Sequence, residues 1–167
     1  LISGPVSLPA PAGVERVGVR TAEQMFEAVK KAAAASDVFI AVAAVADYKV
    51  KNRAAQKIKK GAGSVTLELA ENPDILAYVA AMKNAPFCVG FAAESENLDE
   101  YAQGKRLAKK LPLVVGNLVM PGLGGDDNTV VMFDDRGRHP LGPAPKIEIA
   151  RGIVGHIGLM LAGNGGQ

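Results

Sequence analysis

The sequence is poor in the residues that usually carry redox chemistry or bind transition metals. It contains one cysteine, two histidines and no tryptophan. A single thiol excludes an internal disulfide, and no residues near Cys88 have the spacing of a metal site, so we predict no metal-ligating motif. Cys88 lies in the apolar run 87–91, which predicts a buried thiol that packs as a small hydrophobic group.

A strong net charge and long apolar runs are also missing. The formal charge is +2, so no overall field attracts nucleic acid or an anionic membrane surface. The apolar runs have the length of strands, which is too short for a helix that crosses a bilayer. No secretory-signal pattern opens the chain. We therefore predict a cytoplasmic protein without nucleic-acid or membrane partners.

Apolar runs alternate with amphipathic segments along the chain. Expected strands cover 14–19, 38–43, 65–69, 87–93, 113–115 and 130–133, and expected helices cover 21–35, 72–83, 98–111 and 147–161. Several of these strands are wholly apolar, which is typical of strands buried on both faces. The pattern predicts an α/β fold, with a mainly parallel Rossmann-like sheet and helices on both faces.

Local signals mark the ends of several elements. Thr21 followed by Gln24 is a capping box, and Asn72 followed by Pro73 is a strong helix start. Loops are expected at 44–63 and 121–128, and a hairpin turn at 134–137. Residues 1–5 read as the end of a strand, so we expect that the chain is a single domain, 1–167, that lacks an N-terminal strand and glycine-rich turn.

Unusual polar residues follow several of the expected strands. Ligands of parallel sheets bind beyond the carboxyl ends of the strands, where Asp47 could accept hydrogen bonds from a sugar or a base amine. Lys57 lies in a long loop that suits a lid over a triphosphate, and Lys105 and Lys109 share one helix face. Each feature has an alternative: Asp47 as a turn residue, and the lysines as a solvated basic surface.

Taken together, these segments resemble a known family. Motifs at 43–48, 57–60, 72–75 and 90–94, with the lysines at 105 and 109, have the order and spacing found in bacterial phosphopantothenate–cysteine ligase. The resemblance covers nearly the whole chain. In many bacteria this ligase is the C-terminal half of a bifunctional coenzyme A biosynthesis protein, whose N-terminal half is a flavin-dependent decarboxylase. FMN is therefore expected only if that half is attached.

The resemblance implies an activity, its substrates and a site. The substrates would be 4′-phosphopantothenate, L-cysteine and CTP with Mg²⁺, the intermediate an acyl-cytidylate, and the protein a homodimer. Lys57 would be a catalytic flap lysine, Phe91 would line the base pocket, and Lys105 and Lys109 would hold the triphosphate. The implied CTP site comprises Ala41, Val42, Ala43, Asp47, Lys57, Pro73, Asp74, Ile75, Leu76, Phe91, Lys105 and Lys109.

Two other classes of protein remain open at this point. One is a non-catalytic nucleotide-binding or oligomerisation module. The other is a flavin- or nicotinamide-dependent oxidoreductase, which ranks last because the sequence contains no G-x-G-x-x-G fingerprint.

Overall fold

The computed structural model describes residues 1–54, 56–61, 63–118 and 125–164. The strands are β1 (Ile2–Ser3), β2 (Val17–Gly18), β3 (Val38–Ala41), β4 (Tyr48–Val50), β5 (Leu69–Glu71), β6 (Phe87–Glu94), β7 (Leu113–Leu118), β8 (Asp127–Asp134) and β9 (Gly137–Pro145). The helices are α1 (Ala22–Ala33), α2 (Ile75–Ala80), α3 (Leu98–Ala108) and α4 (Lys146–Asn164).

The central sheet has five strands in the order β3-β6-β7-β8-β9. Strands β3, β6 and β7 are parallel, whereas β8 pairs antiparallel with β7 and β9 antiparallel with β8. The predicted α/β class is confirmed, and the central sheet is mixed rather than purely parallel, since its last two strands run antiparallel to their neighbours. The reason is that only two residues link β8 to β9, and a parallel pair needs a crossover of a dozen residues or more.

Helices cover both faces of this sheet, as predicted. Helices α1, α2 and α3 pack on one face, where Val79 and Ala102 meet the strand residue Val114. Helix α4 covers the other face, where Ile153 packs with Leu113 and Val115. Alternate residues of β7 contribute to the two cores, which is why residues 113–115 are all apolar.

Strand β3 departs from its prediction as a strand buried on both faces. It ends at Ala41 rather than at residue 43, and β6 is its one partner within the described sheet. Ile40 is 39% exposed and Val42, just past the strand, is 61% exposed. An apolar run therefore predicted the strand correctly but did not distinguish an edge of the sheet from its interior.

The expected loop at 44–63 begins with a strand that the sequence did not predict. Strand β4 pairs antiparallel with β5, and the Lys51 N–H donates to Glu68 O over 2.9 Å, which extends the ladder by one step. The strand expected at 65–69 starts at Leu69, and Val65 and Leu67 are exposed. We call residues 48–71 the arm, since its base is this two-stranded ribbon.

The remaining elements lie close to their predicted positions. At α1, Thr21 Oγ1 accepts from Gln24 N at 3.1 Å and Gln24 Oε1 accepts from Thr21 N at 3.2 Å, so the capping box is confirmed. Of the loop expected at 121–128, residues 121–124 lie outside the described residues, and Asp127 already belongs to β8. Within the described chain, no helix combines the length and the apolar character that a membrane span requires.

Candidate functional site

A cavity of about 380 Å³ opens beside the carboxyl end of β3. It is formed by the segment after β3, the segment between β5 and α2, and one face of α3. Nine of the residues that the sequence predicted for the CTP site line it: Ala41, Ala43, Asp47, Pro73, Asp74, Ile75, Leu76, Lys105 and Lys109. Since β3 and β6 run parallel, the cavity lies at the edge of the sheet where ligands of such folds bind.

Asn72 fastens two walls of this cavity together. Its Nδ2 donates to Ala46 O over 2.9 Å, and its backbone N–H donates to Asp47 O over 2.7 Å. The segment after β3 is therefore held against the start of α2. The Oδ1 atom of Asn72 is buried and accepts no hydrogen bond within the described residues.

The start of α2 differs from the prediction made from Asn72 and Pro73. Asp74 is the N-cap, and its carboxylate accepts from Ala77 N at 2.9 Å. The helix is also shorter than expected and ends at Ala80 rather than near residue 83. Asn72 lies two residues before this cap, where its side-chain amide and its backbone N–H donate to the segment after β3.

Asp74 also forms an ion pair with Lys109 across the cavity. Partial burial raises the pKa of the Asp74 carboxyl, but the hydrogen bonds from Lys109 and from Ala77 N outweigh this and hold the pKa below its usual value. The carboxylate is 49% exposed and the lysine side chain 25% exposed. Solvent therefore reaches the pair, and an entering anion could compete with Asp74 for Lys109.

Lys105 lies one helical turn before Lys109 on the same face of α3. Its Nζ donates to Phe91 O over 2.5 Å, which holds the side chain against the carboxyl half of β6. Burial and then repulsion from Lys109 lower the pKa of Lys105, while Glu94, Asp74 and Asp47 act in the opposite direction. Two ammonium groups this close carry excess positive charge that a polyanion would neutralise.

Three predicted site residues do not line the cavity. Val42 and Lys57 are exposed, and Lys57 lies on the arm. The ring of Phe91 packs with the core under α4, on the other face of the sheet, and its carbonyl alone reaches the lysine face. The roles that the family resemblance gives these three residues stay predictions.

A second cavity, of about 740 Å³, adjoins the first. It opens beyond the ends of β1 and β2, next to Gly4 and Val19. It shares Ala43, Val45, Ala46 and Asn72 with the first cavity. Its lining includes four cations: Arg20, Lys49, Lys51 and Arg53. Lys49 pairs with Glu23 and Lys51 with Glu68, each at 2.5 Å. The two arginines have no carboxylate partner among the described residues.

The sequence gave no role to either histidine, yet the structure joins them. His139 Nε2 and His156 Nε2 each lie 2.9 Å from a different oxygen of Asp134. Asp134 ends β8, which is antiparallel to β7, so this cluster lies at the opposite end of the sheet from the cavities. His156 is 22 residues from Asp134 on another element, and no local spacing could have revealed the contact.

The family model for the DNA/pantothenate metabolism flavoprotein C-terminal domain matches residues 1–160 of the chain. The chain belongs to this family. Among curated members, the coenzyme A biosynthesis bifunctional protein CoaBC of Vibrio cholerae serotype O1 is 42% identical over an alignment of 160 residues, and the match covers 92% of this chain and 40% of that protein. The chain spans about two fifths of the length of the curated relatives it matches.

Solved structures agree with this family membership. The crystal structure of the C-terminal domain of CoaBC matches with a TM-score of 0.80 at 35% identity, over 96% of this chain and 73% of that one. A Cab2 variant in complex with phosphopantothenate-cysteine matches with a TM-score of 0.67 at 18% identity, over 89% of this chain and 55% of that one, and shows the fold alone. The predicted resemblance to the C-terminal half of the bifunctional coenzyme A protein is confirmed.

Proposed function

We propose that this domain is a phosphopantothenate–cysteine ligase that uses CTP. The observation that carries the proposal is the pair of adjoining cavities, which share the residues Ala43, Val45, Ala46 and Asn72 and are each lined by cations. A ligase of this kind must bring a nucleotide triphosphate and a phosphate-bearing acid together. Membership in a family whose curated relatives act in coenzyme A biosynthesis supports this assignment.

The proposed reaction has two steps. The carboxylate of 4′-phosphopantothenate attacks the α-phosphorus of CTP and expels pyrophosphate, which leaves an acyl-cytidylate. The amine of cysteine then attacks the acyl carbon, and CMP leaves as the amide forms. In the first step negative charge moves onto the pyrophosphate, so cations placed around the triphosphate stabilise the transition state more than the ground state.

Lys105 and Lys109 are the residues that we assign to the triphosphate. Both line the first cavity, and the pKa of Lys105 is lowered by its burial and by Lys109. A bound polyphosphate would relieve that repulsion and raise this pKa again. Lys109 would exchange Asp74 for a phosphate oxygen, because the carboxylate is half exposed and carries less charge than the triphosphate.

The nucleoside end of CTP is assigned to the wall that follows β3. Ala41 and Ala43 carry small side chains that let the backbone approach a flat ligand, and Asp47 offers an exposed carboxylate for the ribose hydroxyls or the base amine.

Carboxylates suited to Mg²⁺ also line the first cavity. Mg²⁺ is usually bound through one or two carboxylates together with substrate phosphates, and Asp47, Glu71 and Asp74 lie here beside the lysines. The donor set therefore fits this ion, with Asp74 available once Lys109 has turned to the nucleotide. When bound, Mg²⁺ would offset charge on the triphosphate oxygens.

The second cavity is assigned to phosphopantothenate. Arg20 and Arg53 line it without a carboxylate partner among the described residues, and guanidinium groups bind phosphate in a bidentate manner. The acid would then extend toward residues 43–46, where the two cavities meet and the α-phosphate would lie.

We also propose a homodimer in the cytoplasm. The arm carries exposed apolar side chains, with Ile58 at 61%, Val65 at 66% and Leu67 at 59% exposure. Apolar groups clustered on one short segment are typical of a surface covered by another protein. A second copy of this chain would bury them, and sedimentation of the purified protein would show a dimer.

The proposal is tested by incubating the protein with CTP, Mg²⁺, 4′-phosphopantothenate and cysteine. We expect release of pyrophosphate and CMP, with phosphopantothenoylcysteine identified by mass spectrometry. ATP in place of CTP serves as the control for the base. CTP binding without turnover would favour a non-catalytic nucleotide-binding module, and the absence of CTP binding would reject both functions.

A further inference from the structure

The chain's two histidines meet at one buried carboxylate. Asp134 ends β8, His139 lies on β9 and His156 lies on α4, so three elements converge. The three possible ligand atoms all lie within 4.8 Å of one another. The two imidazole rings face each other with their centroids 4.8 Å apart. Neither the proposed ligase chemistry nor either cavity uses these residues.

We propose that Asp134, His139 and His156 form a binding site for a divalent transition-metal ion of the zinc class. Two imidazole nitrogens with one carboxylate oxygen are a ligand set that Zn²⁺, Co²⁺ and Ni²⁺ accept, whereas Mg²⁺ and Ca²⁺ prefer oxygen ligands. Water would complete the coordination of the ion. With neutral imidazoles the three side chains carry a net charge of −1, which favours a divalent cation.

The distances in the cluster are close to those that a metal requires. Around a tetrahedral Zn²⁺, ligand atoms lie roughly 3.3 Å apart. The two nitrogen–oxygen distances are 2.9 Å, so an ion needs outward shifts of a few tenths of an ångström and a closer approach of the two rings. A neutral imidazole that carries its proton on Nδ1 instead of Nε2 presents the lone pair that binds the ion.

The carboxylate is held in place before any ion binds. Asp134 Oδ1 accepts from Arg136 N at 2.8 Å and from Gly137 N at 3.1 Å, both in the hairpin turn. Burial raises the pKa of Asp134, but the hydrogen bonds from His139 and His156 outweigh it and keep the carboxyl ionised. Oδ2 bonds His156 alone among the described groups, so it has a lone pair to offer.

Two nearby arginines pair with carboxylates other than Asp134. Arg138 pairs with Asp99 at 3.0 Å and Arg106 pairs with Asp135 at 2.8 Å. Within the described chain, no lysine or arginine pairs with Asp134, so a metal ion would not displace a fixed cation. The side chains of His139 and His156 are 33% and 18% exposed, which gives an ion a path from solvent.

The site would act on stability rather than on the ligation. It lies beside the amino end of β7, whereas the cavities open beyond the carboxyl ends of β1, β2 and β3. An ion bound there would strengthen the link between the β8–β9 hairpin and α4, which already meet through the apolar core under α4 and through the His156–Asp134 contact. We expect that Zn²⁺ raises the thermal midpoint of unfolding and leaves the CTP affinity unchanged.

The test is a titration of the untagged protein with ZnCl₂, followed by calorimetry, and with CoCl₂, followed by its visible absorption bands. We expect one ion per chain, with affinity reduced about 100-fold or more in His139→Gln and in His156→Gln. Glutamine keeps an N–H donor for Asp134, which protects the fold. Asp135→Asn is the matched control, since Asp135 lies in the same turn, 88% exposed, and should leave binding unchanged.

Proton NMR of the unaltered protein gives a second readout if a variant fails to fold. The chain has two histidines, so both sets of ring signals must shift together as Zn²⁺ is added. Absence of saturable binding, full binding by the double glutamine variant, or ring signals that do not respond would each overturn the proposal. Competition by Mg²⁺ at equal concentration would overturn the assignment to the zinc class.

Discussion

The two ends of the central sheet hold their charged groups in different ways. At the cavity end, Lys109 pairs with Asp74, a carboxylate that is 49% exposed and open to competition. At the hairpin end, Asp134 is 1% exposed and accepts hydrogen bonds from two backbone N–H groups and two histidines. Lys109 can therefore exchange its partner Asp74 for a ligand. Asp134 is held by several donors and instead connects the structural elements to which those donors belong.

The largest effect is expected when Lys57, which lies on the arm, is replaced. Lys57→Gln should lower kcat by about 100-fold while the Kd for CTP changes less than about threefold, because a mobile cation acts mainly on charge that develops in the transition state. Steady-state kinetics and calorimetric titration with CTP measure the two quantities.

Lys59→Gln is the matched control for this change, since Lys59 lies two residues along on the same exposed arm. It should keep most of the activity. If Lys57→Gln weakened CTP binding and turnover equally, the lysine would stabilise the bound substrate as much as the transition state. If Lys57→Gln and Lys59→Gln had equal effects, the arm would act only as a basic surface and Lys57 would have no special role.

A stability effect is expected at the hairpin end. Asp134→Asn places an amide N–H opposite one histidine donor, so it removes at least one hydrogen bond from a buried group and should cost about 2 kcal/mol. Urea unfolding in the presence of EDTA measures this loss without a contribution from metal. Asp135→Asn, in the same turn, should change the free energy of unfolding by less than about 1 kcal/mol.

If the two variants lost equal stability, the carboxylate of Asp134 would be as replaceable as an exposed one. The contrast between the two ends of the sheet would then have no energetic basis.

What the sequence could predict depended on how local the cause was. The capping box of Thr21 and Gln24 spans four residues, and strand β6 is a continuous apolar run, so the sequence predicted both. Asp47, Lys105 and Lys109 stood out in the sequence because they follow a strand or share a helix face, and the family resemblance supplied the other six predicted residues that line the cavity. In each case the information lies within a few residues of the feature.

The features that the sequence analysis missed depend on residues that are far apart along the chain. Strand β4 forms because β5 pairs with it about 20 residues later. The edge position of β3 depends on which strands join the sheet. The side chain of Asn72 donates to Ala46 O, 26 residues away, and Asp74 caps the helix instead. The histidine cluster needs the hairpin and α4 to pack first. Such features come from tertiary contacts, and no periodicity in the chain encodes them.

The smallest effect is expected from the ion pair at the cavity itself. The folded-state pKa of Asp74 is depressed, so its pairing with Lys109 stabilises the fold above the pKa of the unfolded chain. That contribution is lost as the pH falls through the folded-state value. Because the carboxylate is half exposed, the difference in unfolding free energy between the protein and Asp74→Asn should stay under about 1 kcal/mol at neutral pH.

Urea unfolding of both proteins at neutral pH and below about pH 4 measures this difference, which should shrink in acid as Asp74 is protonated. Asp47→Asn is the control, since Asp47 lines the same cavity without an ion pair among the described residues. A difference that persists in acid would show that the loss does not come from the charge of Asp74, since asparagine keeps an oxygen that accepts from Ala77 N. Lys109 would then already be free for a phosphate, and the exchange proposed for this end of the sheet would not be needed.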